Sequence, residues 1–302
     1  MPGGTLLFAG DDEPAVRLIE NSMRRSLKIR NLTVKFPAAR AAAHTAVDNV
    51  SFDVHEAEVV GLMGESGCGK TTLSLAMLGL LTREQAEVSG SVMFGGQELL
   101  GLDERSLAKV RGAKISMVPQ EPGIAMSPMM QVGDQIAEVL HAHKKWGWPE
   151  CRAEAEGWLG KVGLLPINRI YTSYPHQLSG GQLQRVVLAQ ALACEPEVVI
   201  ADEPTASLDA LTQVSLIGLL RELKSQMGIS VLLISHSAQV QAGLADRVLL
   251  MKEGRIVEEG YFKKITRQST ETGTPGEFGA DSGKPGDAVA RLESAIEEPV
   301  SR

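Results

Sequence analysis

Between residues 64 and 72 the chain reads Gly64-Glu65-Ser66-Gly67-Cys68-Gly69-Lys70-Thr71-Thr72. Glycines let a backbone turn tightly and bring its N–H groups close to phosphate oxygens. Lys70 supplies a point charge suited to β- and γ-phosphates, and Thr71 offers a hydroxyl to Mg²⁺. A second cradle, Leu178-Ser179-Gly180-Gly181-Gln182, stands at the start of a helical pattern, with Ser179 where an N-cap belongs. Asp202 and Glu203 are adjacent carboxylates after four apolar residues. Asp202 suits Mg²⁺ held through water, and Glu203 can polarise an attacking water. His236 ends another apolar run, where it can reach a γ-phosphate. Gln120 ends a third, where it can ligate Mg²⁺ or orient a water. These pieces together describe nucleotide phosphate chemistry.

Such groups need a rigid frame. Glu58–Met63 is a short apolar run, read as a buried strand, and 73–81 reads as a helix, which places bound phosphate at a helix N-terminus. Val198–Asp202 and Ser230–Ile234 read as further buried strands with polar tips, where α/β proteins bind ligands. Leu27 to Phe36 and Val50 to Val54 nearly alternate in polarity, as half-buried strands do. Phe36 is either a ring stacked on adenine or a core phenylalanine. Further expectations are a strand near 90–96, a helix over 103–112, a strand at 115–118, a helix over 211–226 and a hairpin through 252–254. Residues 123–177 change texture, with Met126, Met129 and Met130 clustered and helical apolar spacing. They read as a small all-helical insertion, with Trp146, Trp148 and Trp158 packing its core. Residues 1–25 read as an N-terminal extension, with Met23 as the expected start. The chain turns polar from about 266, which predicts a disordered tail with one transient helix through Val289, Leu292 and Ile296.

The 302 residues carry a net charge of −7 with no long basic run, which argues against nucleic acid. Few aromatic residues argue against base-stacking platforms. Cys68, Cys151 and Cys194 are far apart, without metal or disulfide spacing, and suit a reducing compartment. No apolar run approaches the roughly 20 residues needed to span a bilayer. Any service to a membrane would be through another chain.

In their order and spacing, the 64–72 loop, Gln120, Leu178–Gln182, Asp202-Glu203, Ser207-Leu208-Asp209 and His236 resemble the ATPase subunits of ABC transporters over roughly residues 27–260. Ala46–Phe52, Arg111–Met117, Ser127-Pro128, Val132–Ile136 and Tyr174–Gly181 are similar to the oligopeptide/dipeptide importer subgroup. The resemblance implies an α/β P-loop NTPase core with a small antiparallel β subdomain and an all-helical insertion, the last at about 123–180 within a nucleotide-binding domain of 26–265. It implies ATP and Mg²⁺ as cofactors, and a head-to-tail dimer with a second ABC ATPase subunit, a twin or a paralogue. One chain's phosphate loop and its partner's signature, with Ser179, Gly180, Gly181 and Gln182, would sandwich one ATP, with Asp209 nearby. Glu203 would be the base. Gln120, Thr71 and Asp202 would serve Mg²⁺, and Lys70 and His236 the γ-phosphate. Transmembrane permease subunits would dock on the helical insertion at the cytoplasmic face of the membrane, with a solute-binding protein acting indirectly.

Pro119, Ser207 and Ser237 depart from the subgroup's usual residues. Residues 261–302 lack its usual His-Pro-Tyr-Thr-type motif and clustered cysteines, so no iron–sulfur cluster is expected. A soluble non-transport ABC ATPase, or a motor for a non-peptide substrate such as nickel, is the alternative. A module that binds ATP without turnover fits poorly with Glu203 and His236 both in place.

Overall fold

The computed structural model describes residues 27–37 and 43–261. The N-terminal extension, the start at Met23, residues 38–42 and the polar tail with its helix lie outside the described residues.

Two sheets organise the chain. Strands β1 (Leu27–Phe36), β2 (His44–Val54), β4 (Glu87–Phe94) and β5 (Gln97–Glu98) form an antiparallel sheet in the order β2-β1-β4-β5. The larger sheet runs β10-β9-β3-β8-β7-β6, built from β3 (Val59–Met63), β6 (Ile115–Val118), β7 (Val198–Asp202), β8 (Ser230–Ile234), β9 (Arg247–Lys252) and β10 (Arg255–Tyr261). All its pairings are parallel except the β9–β10 hairpin. β3, β7 and β8 are buried along their whole length, which explains their unbroken apolar sequences.

The period-2 alternation of side chains splits these strands between two cores. Val59, Met63, Val199, Ala201, Val231 and Leu233 face one core. Val60, Leu62, Val198, Ile200, Leu232 and Ile234 face the other, beneath the antiparallel sheet.

Nine helices are described: α1 (Lys70–Met77), α2 (Glu104–Ala108), α3 (Pro122–Ala125), α4 (Val132–His143), α5 (Trp148–Lys161), α6 (Ile167–Tyr171), α7 (Gly180–Leu192), α8 (Ala210–Met227) and α9 (Ala238–Leu244). Helices α3 to α6 lie between β6 and α7, where an all-helical insertion is expected from the sequence. Val132, Ile136 and Leu140 of α4 and Ala155, Trp158 and Leu159 of α5 join the first core. Helix α1 begins three residues earlier than the apolar pattern suggests, because Gly69, at φ 108°, starts the turn itself. α2 is shorter than the expected 103–112.

One packing expectation is corrected. Trp158 is 1% exposed, but Trp146 and Trp148 are 41% and 42% exposed. They stand where α4 has ended and α5 begins, so no facing helix covers them. Trp148 instead stacks on His141 with centroids 4.4 Å apart, and Lys144 Nζ lies 5.6 Å from the Trp146 ring centroid.

Candidate functional site

The phosphate loop connects β3 to α1, and two of its glycines stand where side chains cannot go. A Cβ on Gly64 would lie 2.2 Å from the Met251 carbonyl oxygen, and one on Gly69 2.2 Å from that of Ala46. Gly67, at φ +81°, faces open space. No side chain caps α1, so the first-turn N–H groups are presented to an anion along with the helix dipole. Lys70 is 8% exposed. Its Nζ donates to the Gly64 and Glu65 carbonyls at 2.8 Å each and lies 3.7 Å from Cys68 Sγ. Burial pushes the Cys68 thiol up from its ordinary value, although Lys70 pulls against it. Glu65, Ser66 and Thr71 are exposed and Thr72 is half-buried.

Asp202 and Glu203 close β7. Asp202 is 1% exposed, and its Oδ1 has no hydrogen-bond partner. Burial pushes its carboxyl above the ordinary value; the Thr71 hydroxyl pulls it down, Glu203 pushes it up and Lys70 pulls it down. A buried carboxylate oxygen without a donor, beside a threonine hydroxyl, is an oxygen donor set of the kind Mg²⁺ selects. The residues present therefore fit the metal.

Glu203 takes φ +47°, a left-handed conformation rare for a non-glycine residue. The turn lets its N–H donate to the Ile234 carbonyl at 2.8 Å, locking the ends of β7 and β8 together. Its Oε1 then accepts from the His236 backbone N–H at 2.9 Å and lies 2.8 Å from His236 Nδ1. The carboxylate is buried, whereas the His236 side chain is 66% exposed. A fixed carboxylate joined to a ring open to solvent can hold a proton-accepting group beside an entering phosphate. Gln120 follows the end of β6 and is exposed.

Ser179 N-caps α7 in a reciprocal capping box. Its hydroxyl accepts from the Gln182 N–H at 3.3 Å, and Gln182 Oε1 accepts from the Ser179 N–H at 3.0 Å. Ser179 and Gly180 are exposed. A Cβ on Gly181 would come 2.8 Å from Thr212 Cγ2, so this glycine lets α7 and α8 approach. Asp209 caps α8, accepting from the Leu211 and Thr212 N–H groups at 3.1 and 3.0 Å and from the Thr212 hydroxyl at 2.6 Å.

The structure adds His44, Thr45 and Ala46, with the hairpin, to the surroundings of the loop. A cleft of about 310 Å³ is lined by His44, Thr45, Ala46, Glu65, Ser66, Gly67, Cys68 and the hairpin residues Lys252, Glu253 and Gly254. The Gly254 N–H donates to the Cys68 carbonyl at 3.0 Å, and its carbonyl accepts from the Asp48 N–H at 2.8 Å. Phe36 is half-buried against the second core, and its register partner across the sheet is His44 in the cleft wall.

A phosphate loop between β3 and α1, with carboxylates at the tip of β7 and a histidine at the tip of β8, defines a P-loop nucleotide-binding α/β protein. The ABC transporter family matches residues 47–206. The chain is 39% identical to the dipeptide transport ATP-binding protein DppD of Bacillus subtilis, over 85% of this chain and 77% of the relative. It is 37% identical to the oligopeptide transport ATP-binding protein OppD of Escherichia coli, over 84% and 74%. It superposes with a TM-score of 0.70 and 29% identity on a dimeric ATP-binding cassette solved in a post-hydrolysis state with ADP and Pi, covering 78% of this chain and 98% of that one. The chain belongs to the ABC transporter family, as one of its ATPase cassettes. Among the described residues, no helix is long and apolar enough to cross a membrane.

Proposed function

We propose that this chain binds Mg²⁺-ATP on the 64–72 loop and hydrolyses it to power import of peptides or a related small solute. The work is done through transmembrane permease subunits, from the cytoplasmic face of the membrane, with a solute-binding protein upstream. The observation that carries the hydrolytic part is the double hold of His236 on Glu203 Oε1, next to the buried Asp202 and Lys70. The names of the relatives support the transport part.

In this reading Gly64, Gly67, Cys68, Gly69 and Thr72 help form the phosphate-binding loop. Glu65 and Ser66 border the adjoining cleft, with Phe36 behind it toward the base. Lys70 and His236 hold the γ-phosphate. Thr71, Asp202 and Gln120 would hold Mg²⁺, which supplies charge neutralisation at the phosphates. Glu203 accepts the proton of the attacking water. Ser179, Gly180, Gly181 and Gln182, with Asp209, face the nucleotide of a second cassette. That arrangement accounts for two anion cradles in one chain, and the dimeric cassette with ADP and Pi supports it. ATP then adds charge-assisted contacts across the interface, and its hydrolysis removes them.

The test is Glu203→Gln. Phosphate release is expected to fall by about a hundredfold or more, while Mg²⁺-ATP binding is retained. Hydrolysis at the parent rate would overturn the assignment.

A further inference from the structure

Gln241 is 0% exposed in the middle of α9. Its Nε2 donates to the carbonyls of Leu233 at 3.1 Å, Ser235 at 3.3 Å and Leu62 at 3.5 Å. Its Oε1 has no hydrogen-bond partner. A Cβ on Gly61 would lie 2.1 Å from that oxygen, so only a glycine on β3 leaves room for the amide. An apolar side chain of the same length would occupy this space without burying an unsatisfied oxygen. What the position uses is therefore the amide's donors, held by carbonyls at the ends of β3 and β8.

Its contacts point to a role in the site. The Ser235 carbonyl and the His236 N–H belong to one planar peptide unit. Gln241 holds the carbonyl end of that unit, and Glu203 Oε1 holds the N–H end at 2.9 Å. Pinned at both ends, the plane cannot rotate about the backbone. It aims the N–H at Glu203 and fixes where the His236 ring leaves the chain, with Nδ1 2.8 Å from the same oxygen. The Leu62 contact ties this unit to β3, which runs into the phosphate loop at Gly64; the Leu62 carbonyl also accepts from the Ser235 N–H at 3.2 Å.

We propose that Gln241 is a positioning residue for ATP hydrolysis: its amide clamps the Ser235–His236 peptide and the end of β3, holding the Glu203–His236 pair in register with the phosphate loop. The proposal rests on the assignment of Glu203 and His236 as the hydrolytic pair.

The experiment is steady-state ATP turnover of the full chain as Gln241→Met, Gln241→Glu and Glu203→Gln variants, with thermal unfolding of each. Methionine keeps the length and removes both donors. kcat is expected to fall about tenfold, with KM for ATP and Tm near those of the parent. A buried glutamic acid stays protonated and gives back one donor, so Gln241→Glu should recover part of kcat at unchanged KM. Should Gln241→Met fail to fold, the kcat-only loss in Gln241→Glu carries the test. A Gln241→Met kcat within about twofold of the parent overturns the clamp, as does a fall in kcat accompanied by a higher KM and a lower Tm. An inactive Glu203→Gln beside an unimpaired Gln241→Met removes this proposal alone. A fully active Glu203→Gln removes the hydrolytic pair and the clamp with it.

Discussion

Two side chains in the site are held against their own preferences. Glu203 is in a left-handed conformation that costs about 1 kcal/mol or more, and Asp202 carries a buried oxygen without a donor. Both are local losses that a bound ligand would offset. Replacing Asp202 by Asn removes the buried charge. The metal-free variant is expected to melt at or above the parent temperature by calorimetry, while Mg²⁺-dependent turnover falls; a lower Tm would mean that the carboxylate is structural. Lys70 bonds only backbone carbonyls and a thiol within its own loop, so its charge is available to a phosphate. Lys70→Ala is expected to weaken ATP binding by about 10- to 100-fold in a titration with a fluorescent ATP analogue.

At the scale of elements, the two glycines that Cβ atoms would drive into carbonyls show what the 64–72 loop demands. Gly69→Ala puts a methyl 2.2 Å from the Ala46 oxygen at φ +108°. It is expected to cost about 2 kcal/mol or more in urea denaturation. Asp209 caps α8, and the Thr212 hydroxyl and N–H hold its carboxyl below the ordinary value of about 3.9. A depressed carboxyl stabilises the fold above its unfolded pKa, and that contribution is lost as pH falls through the folded pKa. The Tm gap between parent and Asp209→Ala should therefore be widest near neutrality and close below about pH 4. The phosphate loop, the signature helix start and the strand tips are legible in the sequence because each is contiguous and its residues act where they stand. That Gln241, His44 and the expected 252–254 hairpin lie beside the site is not legible, since only strand pairing and the packing of α9 bring them there. Trp146 and Trp148 are misread for a related reason: helical spacing gives the buried face of α5, Trp158 included, but not where its neighbour α4 stops. Iodide should accordingly quench Trp146 and Trp148 but not Trp158, and Trp158→Phe should leave the quenched fraction of the emission larger.

For the whole molecule, the central sheet separates two cores, one shared with the helical insertion and one with the antiparallel sheet. The groups proposed to be catalytic gather at the C-terminal ends of β3, β7 and β8. Ser179 and Gly180 are exposed at the start of α7. The capping box uses the Ser179 and Gln182 N–H groups and leaves those of Gly180 and Gly181 for an anion brought by another chain, which is the physical ground for the proposed composite pockets. The most direct measurement mixes Lys70→Ala chains one-to-one with Ser179→Phe chains, each inert alone, and follows phosphate release. In a mixed dimer one pocket joins an intact loop to an intact signature, so about a quarter of the parent rate should return. A mixture as inert as its two components would contradict pockets shared between chains.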